Sequence, residues 1–415
     1  MTQIKDYLVD FNPWWGNSFS HSSKDRVVFE SILGFFGKRQ IIALTGLRRV
    51  GKTTLMLRLV DSLLKKGFDR KKILFFSFDE FPDVNIRDVI SEFELNFGFD
   101  GKNKDYYAFF DEIQKVDGWE NQLKTIYDLN HNLRIVVSGS ESLFIKAKFK
   151  ETLAGRIFEF RVLPLSFKEF LEFKGKSFPD LFLHKKELFL LFNEFLLTQG
   201  FPELIGENDK EFIRKYISEG IIDKVLYKDL QRMFKIKDMA GFESVAKIIM
   251  NDPGQIIESN SLAKQLGLQR MVVSNYLNLL EKSFLIKRLF NFSRNERKSA
   301  RKLKKYYPAI IPPILLFKED SFSKSTVFES TLVNQLQGDF FWRDQYKNEV
   351  DVILTEKEIV PVEIKYGKIE SKGVKEFMRK FNVKKGVILT PNEEYEIKEG
   401  KFLINVVPAW KWLLK

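Results

Sequence analysis

Four short apolar runs punctuate the first third of the chain: residues 39–45 (RQIIALT), 72–78 (KILFFSF), 107–112 (YAFFDE) and 134–140 (RIVVSGS). The stretches between them carry apolar residues at helical spacing. Runs that are continuously apolar, rather than alternating, mark strands buried on both faces, and intervening helices make the sheet parallel. Residues 166–235 predict helices throughout, with Leu188, Leu191, Phe192 and Phe195 on one face and the segment TQGFPE (198–203) as a break. The pattern changes again over 242–292. A short helix over 261–267, a brief turn, a second helix over 272–283 and a strand over 284–292 follow the order of a winged helix-turn-helix. From residue 326 to 415 the chain returns to α/β: a helix, strands, a helix, a strand, then a strand with a terminal helix. No internal repeat and no long low-complexity linker appears.

Composition narrows the chemistry. The chain has 415 residues, enough for several domains. Its 42 phenylalanines are read as core filling. There is no cysteine, which removes disulfides, thiolate nucleophiles and Cys-based zinc sites. His21, His131 and His184 are far apart and lack ligand spacing, so no zinc site is expected. No stretch is long and apolar enough to span a membrane. The first ten residues, MTQIKDYLVD, do not form the apolar core of a signal peptide, so the expected location is the cytoplasm. A net charge of +12 favours an anionic partner, nucleic acid before an acidic membrane surface; a merely solvated lysine-rich surface is the alternative.

The sharpest motif is GLRRVGKT at residues 46–53. Glycines at both ends of such a loop let the backbone fold around phosphate with its N–H groups pointing inward, at the positive end of the following helix. The loop from Gly46 through Leu47, Arg48, Arg49, Val50, Gly51, Lys52, Thr53 and Thr54 is therefore expected to bind ATP. Lys52 is placed to reach the β- and γ-phosphates, and the Thr53 hydroxyl to bind Mg2+. A strand precedes this loop and an amphipathic helix (53–66) follows, which is the context the motif needs. About 60 residues later an apolar strand ends in Asp111-Glu112. Asp111 is expected to hold the magnesium ion and Glu112 to deprotonate the attacking water. A third strand ends in Ser138-Gly139-Ser140; either Ser138 or Ser140 is a candidate sensor of the γ-phosphate, or the segment is simply a turn. Arg156 is a candidate to reach a γ-phosphate in its own or a neighbouring subunit, so an oligomer is possible.

In combination these segments resemble a family of archaeal and bacterial AAA+-type ATPases. The likeness rests on GLRRVGKT, FFDEIQ (109–114), SGS (138–140), LAGR (153–156), PLSFKEF (164–170), GFPE (200–203) and the YKDL helix (227–230). It covers nearly the whole chain. It implies a P-loop sheet of the additional-strand-glutamate type, strengthens the role of Arg156, and supplies no biological substrate.

Two later segments suggest what the ATPase acts upon. Gln269, Arg270, Ser274 and Asn275 lie at the start of the second helix of the helix-turn-helix, where such helices meet base edges. Nine Lys/Arg against one Glu fall between Lys287 and Lys305, a plausible phosphate-contacting wing. The alternative is that the winged helix only packs against its neighbours. Further on, Asp351, Glu363 and Lys365, with Glu329 on the preceding helix, resemble the core of PD-(D/E)xK nucleases, including archaeal Holliday junction resolvases. Two carboxylates can hold Mg2+ while a lysine stabilises a scissile phosphate. The first acidic element is EVD rather than PD, and a solvated sheet face gives the same alternation.

The expected organisation is thus an α/β P-loop ATPase domain (1–165), a helical lid (166–240), a winged helix (241–318) and a nuclease-like α/β domain (319–415). The leading functional expectation is a Mg2+-dependent ATPase that acts on or binds DNA, with a candidate metal-dependent nuclease activity in its C-terminal domain. The alternative is an ATP-dependent switch whose C-terminal region binds a protein partner and cuts nothing.

Overall fold

A computed structural model of the chain describes residues 2–16, 19–81, 83–98, 105–139, 152–234, 236–295, 299 and 303–415. It divides into two compact units, Met1–Leu163 and Pro164–Lys415.

The first unit is built on five parallel strands. These are β1 (Ile41–Thr45), β2 (Ile73–Ser77), β3 (Tyr106–Asp111), β4 (Leu133–Gly139) and β5 (Ile157–Arg161), in the order β2-β3-β4-β1-β5. The apolar runs become strands because helices cover both faces: every residue of β1 is buried. The crossovers are α3 (Lys52–Lys65), α4 (Ile86–Phe97) and α5 (Trp119–Leu129), preceded by α1 (Thr2–Phe11) and α2 (Val27–Leu33). The phenylalanines fill this core, as where Phe11 meets Phe76 edge-on with ring centres 5.4 Å apart. The edge of β2 is covered as well. The Asn12 side chain donates to Phe75 O (2.8 Å) and accepts from Phe75 N (2.6 Å), and the Trp14 indole donates to Ile73 O (3.1 Å). Strand β4 lies between β1 and β3, so the P-loop strand and the strand ending in Asp111 are not neighbours.

The second unit contains a nine-stranded mixed sheet. Strands β6 (Gln255–Ile256), β7 (Ile286–Asn291) and β8 (Lys304–Pro308) belong to the helix-turn-helix region, with α9 (Met239–Asn251), α10 (Ser259–Leu266) and α11 (Arg270–Lys282). The earlier helices of this unit are α6 (Phe167–Phe173), α7 (Lys185–Thr198) and α8 (Lys210–Ile217). The C-terminal strands are β9 (Phe340–Arg343), β10 (Glu349–Leu354), β11 (Val360–Ile364), β12 (Lys385–Thr390), β13 (Tyr395–Glu399) and β14 (Phe402–Pro408), with α12 (Ser321–Leu336) and α13 (Lys372–Phe381).

The sequence expectation of boundaries at residues 240 and 318 does not correspond to separate cores. Strand β7 pairs in parallel with β9 (Phe290↔Phe340, Asn291↔Phe341), which makes one sheet of both regions. Phe167, Phe170, Phe192 and Phe195 of α6 and α7 share a core with Leu289, Phe328, Leu332, Val352 and Val362. Sequence periodicity detects the face a helix buries but not what it is buried against. The turn between α7 and the next helix is fixed by Gly200. At φ +74° its position is open to glycine, and a Cβ there would lie 2.4 Å from Leu165 O. Beyond it, Ser218–Ile222 and Lys224–Leu230 are wound as π-helix, which ordinary helical periodicity does not anticipate.

Candidate functional site

The loop after β1 has the backbone that a phosphate cradle requires. Gly46 sits at φ +151°, and a Cβ on it would stand 2.1 Å from Val162 O. Gly51 sits at φ +92° and Arg49 at φ +64°. Only glycine fills the first position without moving the end of β5, because the loop backbone lies against that strand. Val50 and Leu47 are buried and anchor the loop from below. Arg26 was not singled out from the sequence, yet it braces the same loop: its guanidinium donates to Val50 O (3.0 Å) and Leu163 O (2.8 Å). A lone Arg in a polar segment gives no sequence signal for this.

The Lys52 ammonium is buried and donates to the carbonyls of Gly46 (3.1 Å) and Leu47 (2.8 Å). It is thereby held under the loop that contains it. The Thr53 hydroxyl donates to Asp111 Oδ2 (2.7 Å), so the two groups expected to hold magnesium are in contact across α3 and β3. A hydroxyl and a carboxylate are hard oxygen donors of the type Mg2+ takes, and the residues present fit a Mg2+-nucleotide. Such a bound group supplies charge neutralisation at the phosphates.

Ser138 joins this pair. Its hydroxyl donates to Asp111 Oδ1 and accepts from the Glu112 backbone N–H (3.3 Å). This contact requires β4 beside β3. Ser140 lies outside the described residues. Glu112 occupies the left-handed region at φ +53°, an uncommon conformation for a non-glycine residue and one that turns its side chain off the strand line. Its carboxylate is held by the Gln114 amide, Nε2 to Oε2 at 2.6 Å, while Gln114 Oε1 is buried with no hydrogen-bond partner. Burial raises the Glu112 pKa above the ordinary carboxylate value, Lys52 opposes the shift and Asp111 adds to it. A base whose pKa is raised is better matched to taking a proton from water.

Arg156 does not approach this cluster within its own chain. It immediately precedes β5, and its carbonyl accepts from Ile41 N (2.8 Å) at the start of β1. The nucleotide loop follows the opposite end of β1, four residues and so roughly 13 Å further along the strand. Its guanidinium pairs with Asp128 (Nε to Oδ1, 2.9 Å). The expectation of a contact in cis fails because parallel pairing of β5 with β1 fixes Arg156 at the end of the strands away from the loop.

In the second unit, Glu329, Asp351, Glu363 and Lys365 are brought into one cluster, in which Asp351 and Glu363 are buried and Glu329 and Lys365 half-buried. An irregularity in the β9–β10 register between Val350 and Ile353 brackets Asp351, the kind of bulge that re-aims a side chain. Asp351 Oδ2 accepts from Ile364 N (2.9 Å), and Glu363 Oε1 lies 2.6 Å from Lys365 Nζ. Burial, and then Asp351, push Glu363 up to a pKa of about 8. The cluster also contains a residue read from the sequence as part of a phosphate-contacting wing. Lys305 is buried, with its Nζ 2.7 Å from Glu349, 3.2 Å from Asp351 and 3.4 Å from Glu329. Burial works against its charge, but Tyr307, Asp351, Glu329 and Glu349 outweigh it and hold the ammonium well above its ordinary pKa. The expected Mg2+ does not fit this arrangement, since a cation already stands among the acids. Among the described residues no group of three His, Asp or Glu is disposed to hold a metal ion. Glu349 and Tyr307, whose hydroxyl donates to Glu329 (2.6 Å), were also missed. The signal available was parity: Lys305 and Tyr307 share a strand face, and Tyr307 is apolar enough to mark that face as buried.

The other basic residues of the wing are partly committed as well. Arg288 pairs with Glu281 (2.9 Å), Lys287 donates to Val333 O (2.8 Å) and Arg294 donates to Phe381 O (2.5 Å). Arg297, Lys298, Arg301 and Lys302 lie outside the described residues. At the start of α11, Gln269, Arg270 and Asn275 are exposed and Ser274 is half-buried.

Comparison with known proteins agrees with the first unit's geometry. Residues 38–171 match a family described as an AAA domain. Residues 190–309 and 325–412 match two families described as domains of unknown function, DUF8612 and DUF4143. An uncharacterized protein of Methanocaldococcus jannaschii, MJ1544, is 28% identical over 405 residues, covering 90% of this chain and 88% of that protein. A second from the same organism, MJ1637, is 25% identical over 460 residues, covering 100% and 94%. Among solved structures, the Aeropyrum pernix ORC1 protein in complex with DNA aligns over 78% of this chain and 97% of its own, at 14% identity and TM-score 0.32. Cdc6p from Pyrobaculum aerophilum aligns over 76% and 97%, at 12% identity and TM-score 0.31. Residues 38–171 of the first unit are thus similar to an AAA domain, on an α/β fold built around a parallel sheet. Among the described residues, no helix is long and apolar enough to cross a membrane.

Proposed function

We propose that this chain is a Mg2+-dependent ATPase of the AAA type whose second unit engages DNA. One observation carries the catalytic part: the hydrogen-bonded run Thr53–Asp111–Ser138–Glu112, set beside a lysine held beneath a glycine-cornered loop. In this reading the loop N–H groups and Lys52 bind the phosphates, and Thr53 and Asp111 hold the metal ion. Glu112 takes a proton from the attacking water once Gln114 releases its carboxylate. Ser138 is a positioning residue that keeps the metal-holding Asp111 and the base on one scaffold. Turnover of ATP by the full chain tests it. Glu112→Gln should retain nucleotide binding and lose about 10²–10⁴-fold in rate. A variant hydrolysing at the wild-type rate would remove Glu112 as the base.

For DNA, the element order α9-β6-α10-α11-β7-β8, with β8 between β6 and β7, supports the winged-helix reading. So do the exposed Gln269, Arg270 and Asn275 at the start of α11. In this reading those side chains face base edges and the wing's remaining cations meet phosphates. ATP turnover measured with and without single-stranded, duplex and branched DNA separates it from the second reading, in which the unit binds a protein partner and ATP only switches its state. Stimulation by DNA, with affinity falling steeply as salt rises, supports the first. Turnover and binding that ignore DNA support the second.

A further inference from the structure

Lys305 enters the second unit on β8, next to the basic segment of the wing, yet it is only 4% exposed. An ammonium has three donors and no acceptor. Here it meets three carboxylates, Glu349, Asp351 and Glu329, at 2.7, 3.2 and 3.4 Å. The remaining oxygens of the cluster are mostly engaged too. Asp351 Oδ2 takes the Ile364 N–H, Glu349 Oε2 lies 3.3 Å from Arg343, and Glu363 Oε1 is held by Lys365. Glu363 Oε2 alone, on a residue 7% exposed, is buried without a hydrogen-bond partner.

Carboxylates gathered around a buried Asp351 need a cation, and a divalent metal ion is one solution. This chain supplies the cation itself. We propose that Lys305 Nζ stands in the place of a divalent ion, so that Glu329, Glu349 and Asp351, with the Glu363–Lys365 pair beside them, form a lysine-held clasp closed to metal. A divalent ion needs several oxygens at about 2.0–2.6 Å, and both oxygens of Asp351 are in use. It would also stand a few ångströms from a fixed positive charge that burial leaves poorly screened. The clasp fastens β8 to β10 and α12 through charge, beside the apolar core that Tyr307 shares with Phe328 and Val352. The unpartnered oxygen of Glu363 marks the place where an ion would gain a ligand if the ammonium were removed.

The experiment is calorimetric titration of the full-length, nucleotide-free chain with Mn2+. Wild type and Asp351→Asn should bind the same number of equivalents, because the cluster takes none. Lys305→Met should gain one equivalent, and the double variant Lys305→Met/Glu363→Gln should lose it again. Wild-type binding that Asp351→Asn abolishes overturns the inference. So does a folded Lys305→Met that gains no site. If Lys305→Met does not fold, the wild type and Asp351→Asn comparison still decides. The inference is independent of ATP turnover, which the Glu112→Gln measurement addresses separately.

Discussion

Replacing Ser138 by alanine removes one hydroxyl that serves two functional groups at once. It donates to Asp111 Oδ1 and accepts the Glu112 N–H, in a residue with no solvent exposure. Water has little access to replace it. A buried polar group left without its partner costs about 1–3 kcal/mol, and more when it is charged. The fold can absorb part of this by shifting Asp111 and Glu112, but those are the residues proposed to hold the metal ion and to act as the base. If a loss of about 1–3 kcal/mol falls on the transition state, turnover drops about 5- to 150-fold. Thr53 still contacts Asp111 Oδ2, so ATP binding should change far less than kcat. Steady-state phosphate release with nucleotide titration measures both, and a thermal melt separates a rate effect from a folding defect. A Ser138→Ala chain that melts lower but hydrolyses within twofold of wild type would show the serine to be a structural turn residue.

Gly46→Ala should cripple nucleotide binding, because its Cβ would lie 2.1 Å from Val162 O at a φ of +151°. Overpacking of about 1–3 kcal/mol corresponds to about 5- to 150-fold in affinity by fluorescent-nucleotide titration, and unchanged affinity would refute the cradle geometry. Arg156→Ala should leave the turnover of a monomer intact, since the side chain sits beside Asp128 at the far end of the sheet. A loss in a sample that sedimentation shows to be monomeric would contradict that placement. Asp61 concerns stability. It is 1% exposed, and although burial opposes its charge, Lys65, the His21 N–H and Arg58 together hold its pKa below 3.8. The folded value lies below the unfolded one, so the stabilisation is complete above 3.8 and is lost as pH falls through the folded value. Asp61→Asn should therefore flatten the acid limb of melting temperature against pH, and an unaltered limb would sink the assignment.

Strands β1 to β4 of the first unit were legible because each centres on a continuous apolar run, the pattern of a segment buried on both faces, whereas β5 (IFEFR), alternating and largely exposed at the sheet edge, gave no such signal. The expected strand over 72–78 is observed at Ile73–Ser77, and the expected helix over 53–66 at Lys52–Lys65. The loop after β1 was legible for a local reason: its glycines, lysine and threonine fall within eight consecutive residues. Lys305 was misread for the opposite reason. In sequence it closes a basic run, and nothing local says that strand β8 carries it inward to acids that lie 24 to 46 residues further on.

By itself, then, the sequence determined the glycine-cornered loop after β1, the strand that ends in Asp111-Glu112 and the class of sheet that presents them, because those properties follow from short-range spacing and from periodicity. Only the tertiary structure decided which strands became neighbours. Placing β4 beside β3 made Ser138 a bridge between Asp111 and Glu112, and pairing β5 with β1 removed Arg156 from its own chain's loop. Pairing β7 with β9 merged two expected domains into one sheet. Register and long-range pairing depend on which surfaces bury best against one another, and on charges that compensate only when distant residues meet, so no window of the sequence contains them.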